Sequence, residues 1–158
     1  MRQASRKILV AGLGNRLSGD DAFGSRVLER LRRQATPLPP GVTAVDAHTD
    51  LLNHLEDFAA YDNVVLVDAV LDPDNKLGEP GHVVVLKEET FQSWTEASPG
   101  VHEMTPLLVV KLFRTLYPQA GTKFTLVGLA VDQLTSKPIY ATEARIAEAL
   151  AAVQSLIA

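Results

Sequence analysis

Cysteine is absent from this 158-residue chain, and its absence excludes several kinds of chemistry. The chain can form no disulfide, has no thiol nucleophile and offers no thiolate ligand to zinc or to an iron–sulfur cluster. A metal site would therefore have to use carboxylate oxygens and imidazole nitrogens. Long apolar runs are also absent, because none approaches the roughly 18 residues of a membrane-spanning helix. We expect no membrane association.

An excess of positive charge is also missing, since 15 Lys and Arg residues stand against 19 Asp and Glu residues. This balance gives no electrostatic footprint for a nucleic-acid backbone, so we expect no nucleic-acid partner and favour a small molecule, a metal or a protein. The basic segment Met1–Lys7 and the apolar run Ile8–Val10 are faintly similar to a signal peptide. That run is short and meets Asn15 and Arg16 where a cleavage site should be, so we expect a cytoplasmic protein.

Apolar periodicity predicts one α/β domain that spans residues 1–158, because strands alternate with amphipathic helices. The predicted strands are Lys7–Gly12, Val42–Asp46, Val64–Val67, Gly81–Lys87 and Thr122–Leu129. The predicted helices are Asp20–Gln34, Asp50–Tyr61 with Thr49 as N-cap, a helix from Thr105 and Pro106 to about Tyr117, and Thr142–Ile157. The link Ala69–Pro80 has no helical period, so the fourth strand should be antiparallel. We expect three layers, with helices on both faces of a mainly parallel five-stranded sheet.

Acidic residues follow three of the predicted parallel strands, at the sheet edge where α/β proteins bind ligands. Asp21 opens the first helix, Asp46 ends the second strand and Asp68 ends the third. Helix capping is the alternative for Asp20, Asp21 and Asp46. Asp68 follows four apolar residues, and a desolvated carboxylate there needs backbone donors, a partner or a metal. Both the structural and the functional interpretation of Asp68 stay open.

The loop after the first strand begins with Gly12-Leu13-Gly14, as pyrophosphate-binding loops do. Leu17 replaces the third glycine of that fingerprint, and two carboxylates at the helix start would repel a phosphate. A nucleotide-binding α/β module therefore remains only an alternative. Among the histidines, His48 is a weak ligand candidate and His102 lies in a loop directly before a predicted helix. No His-Glu-x-x-His motif and no nucleophile elbow is present.

Four short motifs occur together in an order that resembles the nickel–iron hydrogenase maturation endopeptidases. They are Gly12-Leu13-Gly14-Asn15, Gly19–Gly24, Val67-Asp68-Ala69 and Ser98–His102. The resemblance covers nearly the whole chain. It implies an enzyme that removes a C-terminal extension from the hydrogenase large-subunit precursor after nickel insertion. By motif position it also implies that Asp21, Asp68 and His102 are the metal-binding and catalytic residues.

Two carboxylates and one imidazole suit nickel that the substrate precursor supplies together with its own cysteine ligands. The metal would serve as a recognition handle, and it could also polarise the scissile carbonyl or activate a water. Family members often have a Gly-rich turn where this chain has Ala47–Asp50, and the first-loop acid is often Glu rather than Asp21. A non-catalytic, nickel-dependent assembly chaperone with the same three ligands is the second hypothesis.

Overall fold

The computed structural model describes residues 4–14, 19–48, 51–93, 105–133 and 137–158. Within these ranges it contains five strands, five α-helices and two 3₁₀ turns. The strands are β1 (Ile8–Leu13), β2 (Val42–His48), β3 (Asn63–Leu71), β4 (Val83–Lys87) and β5 (Lys123–Val131). The helices are α1 (Phe23–Arg32), α2 (Leu55–Phe58), α3 (Glu88–Ser93), α4 (Pro106–Leu116) and α5 (Glu143–Ile157). The 3₁₀ turns are Gly19–Ala22, which precedes α1, and Leu51–His54, which precedes α2.

The five strands form one sheet in the order β2-β1-β3-β5-β4. Strands β2, β1, β3 and β5 are parallel, and β4 pairs antiparallel with β5. The prediction of a mainly parallel sheet with one antiparallel strand is therefore confirmed. No helix in the described part of the chain has the length and apolar character needed to cross a membrane.

Strand β3 is buried on both faces, which explains its continuous apolar sequence. Val65 and Val67 join the core beneath α1 and α5. Val64 and Leu66 join the opposite core beneath α2 and α4. Successive side chains alternate between the two faces, so the helices cover both sides of the sheet as the sequence predicts.

Helix α4 runs antiparallel to β5 and begins at the edge of the sheet where the parallel strands end. Thr105 caps the helix by accepting a hydrogen bond from the Leu108 N–H, as the sequence predicts. At the other end, Arg114 donates to the carbonyl oxygens of Ala120 and Thr122, which lead directly into β5. The polypeptide that enters α4 therefore arrives at the carboxyl edge of the parallel strands.

Arg114 also joins α4 to the first residue of α3. Its Nε and Nη2 donate to the two Glu88 carboxylate oxygens, each at 2.7 Å. The pKa of Arg114 is raised above its usual value, mainly by this hydrogen bond and less by the Glu88 charge, while burial acts in the opposite direction. This bidentate pair fixes the first residue of α3 against α4.

Several predicted boundaries differ from the structure. Strand β3 continues to Leu71 because β5 pairs with it as far as Val131, so Asp68 does not end the strand. Strand β2 likewise continues past Asp46 to its last residue, His48, with a register shift opposite the end of β1. The helices predicted from Asp20 and Asp50 are each a 3₁₀ turn followed by an α-helix. The predicted N-cap Thr49 lies outside the described residues.

Candidate active site at the β1/β3 crevice

Strands β1 and β3 end at different points, and we call the space beyond the end of β1, beside residues 68–71 of β3, the crevice. Their pairing ends at Gly12 and Val67, whereas β3 continues to Leu71 against β5. The strand order also reverses here, since β1 is followed by β2 on one side and β3 lies on the other. Parallel α/β sheets bind ligands at such a switch point, beyond the carboxyl ends of their strands.

Asp68 is the first residue of β3 beyond its pairing with β1. It lies opposite Gly128 in β5 and is only 7% exposed. The alternation along β3 places it on the face that α2 and α4 cover, together with Leu66 and Val70. A carboxylate in the middle of a strand has its backbone fixed by the sheet. Asp68 is therefore presented from a rigid part of the fold.

Asp21 lies beside the end of β1, in the 3₁₀ turn Gly19–Ala22. The position is set by Gly14, whose φ of +94° favours glycine. A Cβ at Gly14 would collide with the Asp21 carbonyl oxygen and would lie 3.0 Å from Asp21 Oδ1. Any residue larger than glycine would therefore displace the turn. The same turn packs against β3, which brings Asp21 to the crevice that holds Asp68.

Gly24 allows α1 to start in contact with both strands of the crevice. A Cβ on Gly24 would collide with the Val67 carbonyl oxygen, and it would lie 2.5 Å from the Leu13 carbonyl oxygen and 2.7 Å from the Leu13 nitrogen. All three of these atoms belong to the backbone of the sheet and cannot rotate away. The glycine therefore sets how closely the segment that contains Asp21 approaches β3.

Asp20 does not cap its own helix, although capping is one expectation from the sequence. The residue is fully buried, and its Oδ1 accepts hydrogen bonds from the backbone N–H groups of Ile139, Tyr140 and Ala141. These donors belong to the segment before α5, about 120 residues away in sequence. Sequence patterns within one element carry no signal for such a contact, which explains why the prediction missed it.

The other acids at this edge have structural partners. Ser25 in α1 donates its hydroxyl to Asp46 Oδ1 at 2.9 Å, which joins β2 to α1. Asp72 is buried and accepts from the N–H groups of Lys76 and Leu77, which closes the turn after β3. The acidic edge expected from the sequence is therefore present in the described residues, with several of its carboxylates engaged within the fold.

Comparison with known proteins gives the context for this arrangement. No protein-family model matches the chain. The hydrogenase 2 maturation protease of Escherichia coli is 31% identical over 130 residues, which is 81% of this chain and 75% of that protein. The chain belongs to the hydrogenase maturation protease family. The hydrogenase expression/formation protein HupD of Bradyrhizobium diazoefficiens is 34% identical over 94 residues, 58% of this chain and 45% of its own length.

Solved structures agree with this membership. The hydrogenase maturating endopeptidase HybD of E. coli superimposes with a TM-score of 0.74 at 29% identity, over 95% of this chain and 91% of that one. The maturation protease HycI of Thermococcus kodakarensis gives a TM-score of 0.66 at 24% identity, over 96% and 90%. The second likeness supports the shared fold alone. The fold of this hydrogenase maturation protease is therefore that of HybD.

The third candidate ligand of this maturation protease, His102, lies outside the described residues. His102 is four residues before Pro106, where α4 begins at the carboxyl edge of the parallel strands. Among the described residues, no group of three His, Asp or Glu side chains is placed to hold a metal ion. The described residues therefore include two of the three candidate ligands, Asp21 in a turn that packs against β3 and Asp68 within β3.

These two carboxylates have the donor chemistry that a divalent transition metal accepts from a protein without cysteine. Asp68 is nearly buried and Asp21 is partly exposed. Asp68 is thus the candidate that the sheet holds rigidly, and Asp21 is the candidate that solvent reaches.

Proposed function

We propose that this hydrogenase maturation endopeptidase removes the C-terminal extension of a nickel–iron hydrogenase large-subunit precursor after nickel insertion. In this proposal Asp21, Asp68 and His102 contact the nickel that the precursor carries. The observation that supports it most directly is the position of Asp68, nearly buried at the start of a crevice into which the Asp21 turn is packed. Family membership supports the peptidase activity, and the crevice supports the location of the chemistry.

Asp68 and Asp21 would have different roles in this proposal, because their local structures differ. Asp68 is fixed within β3 and would provide a ligand whose position does not change. Asp21, on a turn set by Gly14, would approach the same metal from the opposite wall. Nickel bound there could polarise the scissile carbonyl of the precursor or activate a water. Since the chain has no cysteine, every thiolate ligand would have to come from the precursor.

Exposed apolar side chains near the crevice support a protein substrate. Leu52, Leu108 and Ile139 are each between 46% and 49% exposed. Leu52 is in the turn after β2, Leu108 is in the first turn of α4, and Ile139 precedes α5. All three positions lie at the carboxyl edge of the parallel strands. In the proposed function these side chains would contact the precursor.

Incubation with the two forms of the precursor tests the proposal. The nickel-loaded precursor should lose a C-terminal peptide, as measured by intact mass, whereas the nickel-free precursor should remain whole. Asp21→Ala, Asp68→Ala and His102→Ala should each abolish processing and leave the circular dichroism spectrum unchanged. A stable complex with no change in mass would instead indicate the assembly chaperone.

Matched variants separate a site effect from a general loss of charge. Asp74 is an exposed carboxylate in the turn after β3, and His82 is an exposed imidazole before β4. Asp74→Ala and His82→Ala should process the precursor at the parent rate. If Asp21→Ala and Asp68→Ala also retain that rate, the crevice is not the active site.

A further inference from the structure

We propose that Asp20 is a positioning residue that holds Asp21 in place by binding the backbone of the segment Ile139–Ala141. This inference rests on the proposed function, since it gives Asp20 a role in the same site. Asp20 itself is fully buried, so it is not placed to touch the substrate. Its effect on the reaction would pass through its neighbour in the 3₁₀ turn.

All the hydrogen bonds that the Asp20 side chain accepts from described residues come from one segment. Oδ1 accepts from Ile139 N at 2.9 Å, Tyr140 N at 3.0 Å and Ala141 N at 2.9 Å. Oδ2 is buried and accepts no hydrogen bond from a described residue. Three hydrogen bonds on one oxygen join the 3₁₀ turn to a segment that is distant in sequence.

The segment that Asp20 binds is itself attached to the end of the sheet. The Tyr140 hydroxyl donates to Asp132 Oδ1 at 3.0 Å, one residue after β5. The Tyr140 ring also packs over Gly81, where a Cβ would lie 3.2 Å from a ring carbon. On the C-terminal side, the Thr142 hydroxyl caps α5. Asp20 therefore connects the turn to a fixed support and not to a loose loop.

Asp21 is consequently held from two sides. Gly14 leaves no room for a Cβ beside the Asp21 carbonyl oxygen and Oδ1, and the preceding residue, Asp20, is held by its three hydrogen bonds. If the Asp20 contact is lost, the turn loses its attachment to the segment before α5. A displacement of about 1 Å at a reacting group can lower a rate by about a hundredfold. The expected consequence is a loss of turnover rather than of precursor binding.

The test compares Asp20→Ala and Asp20→Asn with a control of similar structural cost at the opposite edge of the sheet. Thr122 is buried, and its hydroxyl donates to the carbonyl oxygens of Phe58 and Tyr61. Thr122→Val removes these hydrogen bonds far from the crevice. All variants are assayed on the nickel-loaded precursor at a temperature where circular dichroism shows them folded. Backbone hydrogen exchange is measured on the same samples without precursor.

For Asp20→Ala we expect kcat to fall about tenfold or more with KM changed less than about twofold, because the ligand and not the docking surface is displaced. Asp20→Asn should recover most of the turnover, since its amide oxygen can accept the same hydrogen bonds. Exchange should accelerate in residues 19–22 and 139–141 of Asp20→Ala, and in neither segment of Thr122→Val. That joint acceleration would show the connection independently of catalysis.

The inference is overturned if Asp20→Ala has the turnover of Thr122→Val, or if exchange in residues 19–22 is unchanged. Should Asp20→Ala fail to fold, Asp20→Asn decides: a change in KM alone, with full turnover, would contradict a positioning role. If the parent protein does not process the precursor, the proposed function fails. The exchange result would still decide whether Asp20 connects the two segments.

Discussion

Gly24→Ala is the substitution for which the structure predicts the clearest combined loss of stability and activity. The added Cβ would lie 2.5 Å from the Leu13 carbonyl oxygen and would collide with the Val67 carbonyl oxygen. Optimal contacts between non-bonded heavy atoms begin at about 3.5 Å, so α1 must move away from the sheet by roughly 1 Å. Overpacking of this kind typically costs about 1–3 kcal/mol.

One smaller effect acts in the opposite direction. Alanine is favoured over glycine in a helix by about 0.5–1 kcal/mol, because it leaves the unfolded chain fewer conformations to lose. We therefore expect a net loss of up to about 2.5 kcal/mol in the free energy of unfolding. For a chain of this size, each kcal/mol lowers the melting temperature by about 2–4 °C. Because α1 continues the turn that holds Asp21, processing should fall with stability.

Gly121→Ala is the matched control, because a Cβ there would meet no atom within 4 Å. We expect its melting temperature and processing rate to equal those of the parent or to rise slightly. Thermal unfolding by circular dichroism and intact-mass analysis of the nickel-loaded precursor measure both variants. The reasoning is refuted if Gly24→Ala melts at or above the temperature of Gly121→Ala and processes precursor at the same rate.

Three other substitutions test separate parts of the structure. Ile139→Asp should raise KM for the precursor. Leu116→Asp should not raise KM, because Leu116 is similarly exposed but lies at the far end of α4. Equal KM values would argue against docking at the crevice. Glu88→Gln removes the charge that Arg114 binds, and urea unfolding should show a loss of about 1–3 kcal/mol; an unchanged midpoint would mean that the pair is not stabilising. The hydrogen bond to Asp132, with smaller effects of burial and charge, raises the pKa of Tyr140. The stability that it contributes is therefore complete below the unfolded pKa of about 10 and is lost as pH rises above it. Tyr140→Phe should reduce this alkaline loss, measured as the difference between urea midpoints at pH 8 and above pH 10.

The sequence predicts the sheet well because its signals are local. The apolar run Val64–Val67 needs cover on both faces, and Thr105 with Pro106 marks the start of α4. The missing helical period after Ala69 correctly indicates an antiparallel strand. Strand ends are predicted less well, because they depend on the neighbouring strand. Nothing within β3 shows that β5 will pair with it beyond Asp68.

For the candidate site as well, local motifs are predictable and contacts between distant elements are not. Motif order makes Asp21 and Asp68 candidates, and the structure places the turn that carries Asp21 against β3, the strand that carries Asp68; their role stays a prediction. The contact between Asp20 and the segment before α5 could not be predicted, since it joins residues about 120 positions apart and depends on the packing of α1 against α5. The role of Gly24 is similarly hidden, because a glycine inside a helix carries no sign of which backbone it approaches.

The two described carboxylates differ in how the fold can move them. Asp68 cannot shift without breaking the pairing of β3 with β5, which continues for three more residues. Asp21 depends instead on a short turn that Gly14 and Asp20 hold in place. We therefore expect any adjustment between the free and the precursor-bound protein to occur in residues 19–22 and not in β3. In the proposed function, a metal brought by the precursor would meet one fixed carboxylate and one on a turn that can adjust.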